Sequence, residues 1–167
     1  MNWNEKFFAM VDLVASWSRD PSTKTGAVIV DDEHNVRSVG YNGFPRGVDD
    51  TIESRYVRPE KYKWMEHAER NAIFAAALHG TPTGWCSMYT AWHPCSDCAR
   101  AIVQSGIKAV IIDGRKYKGD SDADARWAED FVIARQILQE GGVDVEILDK
   151  EPDGGSWFTR EERIADV

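Results

Sequence analysis

SMYTAWHPCSDCARAIVQSGIKAVII (residues 87–112) is the stretch that decides the fold. Ser87–Thr90 and Ala109–Ile112 are short apolar runs of strand length. Between them, Cys95–Ser105 has helical composition and ends at Gly106, a residue suited to the left-handed backbone of a helix end. A strand, a helical connection and a second strand predict a right-handed parallel crossover. The chain downstream repeats the theme, with a helix from about Ala123 to Glu140 stopped by Gly141-Gly142 and a strand over Val143–Leu148. Upstream, Glu66–His79 turns to Ala, Leu, Ile and Phe and ends at Gly80, which predicts a helix. Further back, Ala27–Val30 and Val36–Tyr41 flank the polar turn 31–35 and read as a hairpin. A first helix over Asn4–Ser18 follows from Phe7, Met10, Val11, Val14 and Trp17, spaced by threes and fours. Residues 42–63 carry Gly43, Pro45, Gly47 and Pro59 without a period and read as a long, functional loop. The sum is α/β with a five-stranded sheet, followed by a charged, Gly-rich tail over 149–167 whose apolar anchor is Trp157-Phe158.

The length of 167 residues fits one domain spanning 1–167. Such a chain buries roughly 70% of its unfolded surface and needs no metal or disulfide merely to fold. A formal charge of -8 has the wrong sign for gripping a polynucleotide through summed phosphate attraction, though a small phosphorylated ligand needs only a few local cations. Neither a signal peptide nor an 18-residue apolar span is visible, so a cytoplasmic protein without membrane attachment is expected. Three cysteines, two of them in one C-x-x-C, do not make a secreted disulfide framework.

The chemistry concentrates in His67-Ala68-Glu69 and Pro94-Cys95-Ser96-Asp97-Cys98, the H-x-E and P-C-x-x-C signature of zinc deaminases acting on nucleobases. Each half is weak alone, but each falls at the start of a predicted helix. Cys95 and Cys98, three apart, share a face of a first helical turn. His67 and Glu69, two apart, approach one ion only if they straddle a helix end. Helix N-termini also favour thiolates over thiols. One imidazole and two thiolates fill three of zinc's four positions and leave the fourth for water, the mark of a catalytic site. Glu69 is the candidate acid–base residue. Against this stand a thiol redox module and a structural zinc, the latter needing a fourth protein ligand; Cys86 precedes a buried strand, His34 lies in a turn, and His93 is read as lining the pocket or hydrogen-bonding locally. Trp92 is a candidate for stacking on a ring.

Beyond the motif, the chain resembles the deoxycytidylate deaminase family of the cytidine deaminase-like superfamily. The stretches that carry the resemblance are SRDPSTKTGA (18–27), GYNGFPRG (40–47), HAERNAI (67–73) and PCSDCA (94–99), and the likeness spans roughly residues 5–148. It implies a three-layer α/β/α fold with a mixed sheet, one catalytic zinc per chain, hydrolysis of dCMP to dUMP and ammonia in support of thymidylate synthesis, and a homo-oligomer, often a hexamer. A tRNA adenosine deaminase, or another nucleobase deaminase, is the alternative with the same chemistry. The resemblance places Asn42 at the sugar and the backbone near Ala68 at the pyrimidine. Arg46, beside Asn42 in a loop stiffened by glycine and proline, is the first candidate for a phosphate, followed by Lys24 and Arg19. Some family members bind triphosphate effectors with Mg2+, and many hold a second zinc through Cys or His ahead of the HAE motif. Residues 42–66 here contain neither residue type, so no second zinc is expected there. Trp92-His93 stands where smaller residues are common, and 114–140 is longer than the usual form.

Overall fold

The computed structural model describes residues 2–117, 122–150 and 157–159. Helix α1 (Trp3–Ala15) starts at a reciprocal cap in which Asn2 accepts from the Glu5 backbone at 2.9 Å and Glu5 accepts from the Asn2 backbone at 3.0 Å. It ends three residues earlier than its apolar stripe predicts, because Ser18 leaves the helix to donate to the Asn42 carbonyl at 2.7 Å. Strands β1 (Gly26–Val30) and β2 (Val36–Tyr41) form the expected hairpin. The segment read as loop is more ordered than its composition indicates: a 3-10 turn over Glu53–Tyr56 is followed by the one-turn helix α2 (Lys61–Trp64). Then come α3 (Ala68–Leu78), β3 (Ser87–Thr90), α4 (Ser96–Gln104), β4 (Ala109–Asp113), α5 (Asp122–Glu140) and β5 (Asp144–Lys150).

The sheet order is β2-β1-β3-β4-β5-β6, where β6 is Trp157–Thr159, with β3, β4 and β5 parallel and the rest antiparallel. The five expected strands are joined by a sixth, β6 (Trp157–Thr159), which pairs with β5. Strand period places the core on both faces. Along β1, Ala27 and Ile29 pack with Ala68 and Ala72 of α3, Ala99 and Ile102 of α4, and Ala134 and Leu138 of α5. Val28 and Val30 face the other way, onto Phe7, Phe8 and Val11 of α1. This is the three-layer sandwich. Gly40 permits its closest approach: a Cβ there would lie 2.2 Å from the Ala72 nitrogen and 2.4 Å from the Ala68 carbonyl. Backbone-to-backbone packing of β2 on α3 thereby fixes the start of α3, where the H-x-E residues sit. Among the described residues, no helix is long and apolar enough to cross a membrane.

Candidate active site

The two helix starts meet as the spacing requires. His67 is the N-cap of α3, with extended backbone (φ -77°, ψ 155°), and Cys95 is the N-cap of α4 (φ -74°, ψ 171°). His67 therefore stands just outside its helix while Glu69 lies within the first turn, and the pair straddles the helix end. His67 Nδ1 is 3.3 Å from Cys95 Sγ and 3.6 Å from Cys98 Sγ. A tetrahedral zinc with ordinary Zn–N and Zn–S lengths separates nitrogen from sulfur by about 3.5 Å. The donor set thus fits zinc in chemistry and spacing: His67, Cys95 and Cys98 are positioned to bind the ion. Asp130 of α5 secures the start of α4, accepting from the Ser96 backbone at 2.8 Å and from its hydroxyl at 2.6 Å.

Without the metal, protons distribute as in a thiolate–imidazolium cluster. A hydrogen bond from Cys98, and after it one from His67, brings Cys95 down to about 4; the hydrogen bond with Cys95 raises His67 to about 9. Cys98, donor to Cys95 and fully buried, is pushed up and remains a thiol. Burial raises Glu69, which is 7% exposed and whose Oε2 lies 3.7 Å from Cys98 Sγ.

His67, Glu69 and Cys95 share a cavity with three walls. The first carries Asp20, Thr23, Thr25 and Asn42; the second is the 58–65 segment, with Arg58, Lys61, Tyr62 and Met65; the third joins Trp92 and His93 to Trp127 and Phe131 of α5. Asn42 is oriented by the protein. Its amide donates to the Thr23 carbonyl at 2.9 Å and Asp20 Oδ2 at 3.2 Å, and its Oδ1 accepts from the Thr25 backbone at 2.8 Å. Asp20 pairs with Lys61, both inside the protein, and also accepts from the Ser22 backbone and hydroxyl. Burial acts to raise Asp20, but the bonds from Lys61 and Ser22 outweigh it and hold the carboxyl below its usual range. His93 is buried against Tyr117 and Phe131, its Nδ1 donating to the Pro94 carbonyl at 2.8 Å. Burial pushes its imidazole down to about 4, which leaves Nε2 a lone-pair acceptor with no partner among the described residues.

The structure thus brings His67, Glu69, Cys95, Asn42 and Trp92 to one cavity, with Cys98 behind His67 and Cys95. Ala68 is the buried first residue of α3, where backbone N–H groups lack intrahelical partners. Arg46 and Lys24 are not on the cavity wall. Arg46 sits at the apex of an exposed turn closed by Val48 N to Pro45 O at 3.0 Å. Lys24 is exposed between Thr23 and Thr25, whose side chains take the cavity side of an extended segment. Arg19 is paired with Asp50 on the surface at 3.0 Å. Sequence reading missed Asp20, Arg58, Lys61, Tyr62, Trp127 and Phe131. Asp20 lay within one of the resembling stretches; nothing in the sequence marked the others as neighbours.

Comparison with known proteins agrees with this arrangement. Residues 1–113 match the family described as the cytidine and deoxycytidylate deaminase zinc-binding region. The chain is 39% identical over 146 residues to an uncharacterized deaminase in the luxG 3' region of Aliivibrio fischeri, covering 86% of this chain and 91% of that protein. It is 40% identical over 130 residues to the deoxycytidylate deaminase of Homo sapiens, covering 75% and 72%. A dCMP deaminase from the cyanophage S-TIM5, solved in complex with dCMP and dUMP, superposes with a TM-score of 0.66 at 25% identity over 86% of this chain and 94% of that one. With more than half its length matched by the family and its metal-ligand set assembled at two helix starts, the chain belongs to the cytidine and deoxycytidylate deaminases of the zinc-binding type.

Proposed function

We propose that the protein hydrolyses dCMP to dUMP and ammonia. The observation that carries this reading is the placement of Glu69: a buried carboxylate lining the cavity beside His67 and Cys95. When bound by His67, Cys95 and Cys98, zinc supplies the positive charge that makes a water acidic enough to give up a proton near neutral pH. Glu69 takes that proton and passes it to ring N3 as the water oxygen adds to C4 of the pyrimidine. It then carries the second water proton to the 4-amino group, which leaves as ammonia as the C4–N bond breaks and the C4 carbonyl forms. Burial suits Glu69 to both steps, since it raises the carboxyl from its usual range and so strengthens its hold on the proton it takes from water and later returns. Asn42 has spent both amide hydrogens on the protein and keeps a lone pair on Oδ1, which suits it to accept from a sugar hydroxyl.

The human and phage relatives named for dCMP support this substrate, and the chain's net charge of -8 favours a mononucleotide over tRNA. Exposed apolar side chains, among them Trp17, Phe74, Leu78 and Trp85, support a homo-oligomer; a hexamer, and a place in the cytoplasm, are readings that rest on the family resemblance. The test is ammonia release from dCMP by the zinc-loaded protein and by Glu69→Gln. The variant is expected to retain zinc and lose turnover by about 1,000-fold. Near-normal turnover in the variant, or none in the parent, overturns the reading.

A further inference from the structure

We propose that Arg58 is the specificity-determining residue that makes the cavity prefer a nucleoside monophosphate to a nucleoside, by pairing its guanidinium with the phosphate. The proposal rests on the deamination reading above and assigns a residue that sequence reasoning did not find.

The charges on the cavity wall single out Arg58. Apart from the metal-ligating group, the charged side chains there are Asp20, Glu69, Arg58 and Lys61. Glu69 is committed to the reacting end of the cavity. Lys61 is committed to Asp20: the pair is inside the protein, 7% and 0% exposed at its two side chains, and Lys61 also donates to Ser22 Oγ at 2.9 Å. A phosphate approaching Lys61 meets the Asp20 carboxylate behind it, so this pair presents no net charge. Arg58 differs. Among the described residues no carboxylate lies within ion-pair distance of it. Its Nε donates to the Tyr62 hydroxyl at 3.0 Å, its Nη2 reaches Ser22 Oγ at 3.5 Å, and Tyr62 stands edge-on to Trp127 with ring centroids 6.0 Å apart. The guanidinium is held along one edge, while Nη1 meets no hydrogen-bond partner among the described residues. A planar cation so tethered is suited to donate to two phosphate oxygens side by side at little cost in side-chain entropy. Arg46, Lys24 and Arg19 lie off the wall or are already paired. Arg58 is exposed toward solvent, so its pairing with a dianion is weakened by salt.

The test compares kcat/KM for dCMP and deoxycytidine in the zinc-loaded parent, Arg58→Ala, Arg58→Lys and Arg46→Ala, with zinc content confirming the site in each. Loss of one charge-assisted pair predicts about a 30-fold drop for dCMP in Arg58→Ala. The drop for deoxycytidine is expected to stay within about threefold, because no phosphate is present to lose. Arg58→Lys restores part of the preference as a point charge without the fork, and 0.5 M salt, well beyond the roughly 0.15 M physiological strength, erodes the parent's preference more than that of Arg58→Ala. Inorganic phosphate inhibits the parent competitively and Arg58→Ala more weakly. Equal losses on both substrates, no loss on dCMP, or a selective loss in Arg46→Ala instead overturns the proposal. If the parent turns over neither substrate, the deamination reading fails by itself. Arg58 is then judged by equilibrium binding, where Arg58→Ala is expected to weaken dUMP and not deoxyuridine, and equal binding of dUMP by parent and variant refutes it.

Discussion

Replacing Lys61 by methionine is expected to destabilise the protein by about 3 kcal/mol at pH 7, and a second change, Asp20→Asn, is expected to return most of it. The two side chains are 7% and 0% exposed, so removing the ammonium leaves a carboxylate charged and out of water. Breaking a buried pair in this way costs roughly 3–5 kcal/mol. The lower end applies because Asp20 keeps bonds from the Ser22 backbone at 2.9 Å, the Ser22 hydroxyl at 3.0 Å and Asn42 Nδ2 at 3.2 Å. The pH dependence follows with a definite sign. In the parent, Asp20 lies below its ordinary 3.8, so its contribution is present above that pH and is lost as pH falls through the lower folded value. In Lys61→Met the strongest opposing influence on burial has gone, the carboxyl rises, and acidification relieves the variant by protonating it. The stability gap between parent and variant is therefore narrower at an acidic pH than at pH 7. Urea unfolding of the zinc-loaded proteins at both pH values measures this. A loss in Lys61→Met below about 1 kcal/mol would show that the pair behaves as a surface pair, and a double variant as unstable as the sum of the singles would show that the two side chains are not coupled.

Three further outcomes are expected. His67→Ala, Cys95→Ala and Cys98→Ala each reduce zinc from about one per chain to a small fraction, read by elemental analysis after dialysis; full occupancy in all three would dismiss the ligand set. Zinc uptake by metal-free protein at pH 7 releases about two protons, from the Cys98 thiol and the His67 imidazolium, while Cys95 at about 4 is already a thiolate; calorimetry in buffers of different ionisation enthalpy counts them, and no release would contradict the protonation pattern. Gly40→Ala forces a methyl to within 2.2 Å of the Ala72 nitrogen and 2.4 Å of the Ala68 carbonyl, so it is expected to cost about 2–3 kcal/mol and to loosen His67 and Glu69, lowering both Tm and zinc affinity; an unchanged Tm would show that α3 can retreat freely.

What the sequence made legible is what repeats or is local. The short apolar run of β1 beside its polar turn and the helical stripe of α1 were legible because strand length and helix period are short-range properties. The metal ligands were legible for the same reason: Cys95 and Cys98 meet within one helical turn, and His67 with Glu69 requires only that a helix begin between them. The cavity wall was not. Asp20 and Lys61 are 41 positions apart and became neighbours only when the chain ahead of β1 and the segment ahead of α3 converged on the end of β2. Local spacing cannot express that pairing. Arg46 shows the opposite hazard: adjacency to Asn42 in the chain suggested adjacency in space, and an exposed turn at Pro45–Val48 separated them. Helix α2 went unread because a single turn carries too little periodicity, and β6 because three residues of a tail pair with β5 without any pattern of their own.

The buried pair also gives the cavity a property that the metal site alone would lack. Asn42 presents its remaining lone pair in a fixed direction because Asp20 and the Thr23 carbonyl hold its amide hydrogens, and Asp20 in turn stays charged because Lys61 neutralises it. The residue proposed to read the sugar is thus oriented by an ion pair whose cationic partner lies three positions after Arg58, the residue proposed to read the phosphate. Ser22 Oγ joins the two cations, lying 2.9 Å from Lys61 Nζ and 3.5 Å from Arg58 Nη2. A disturbance of Lys61 therefore reaches sugar and phosphate recognition together, whereas Glu69, His67 and the two cysteines are fixed by the starts of α3 and α4 and by Asp130. Substrate choice and bond chemistry rest on separate supports in the same cavity, so a change of nucleotide preference can arise in the 58–61 segment without moving the metal ligands.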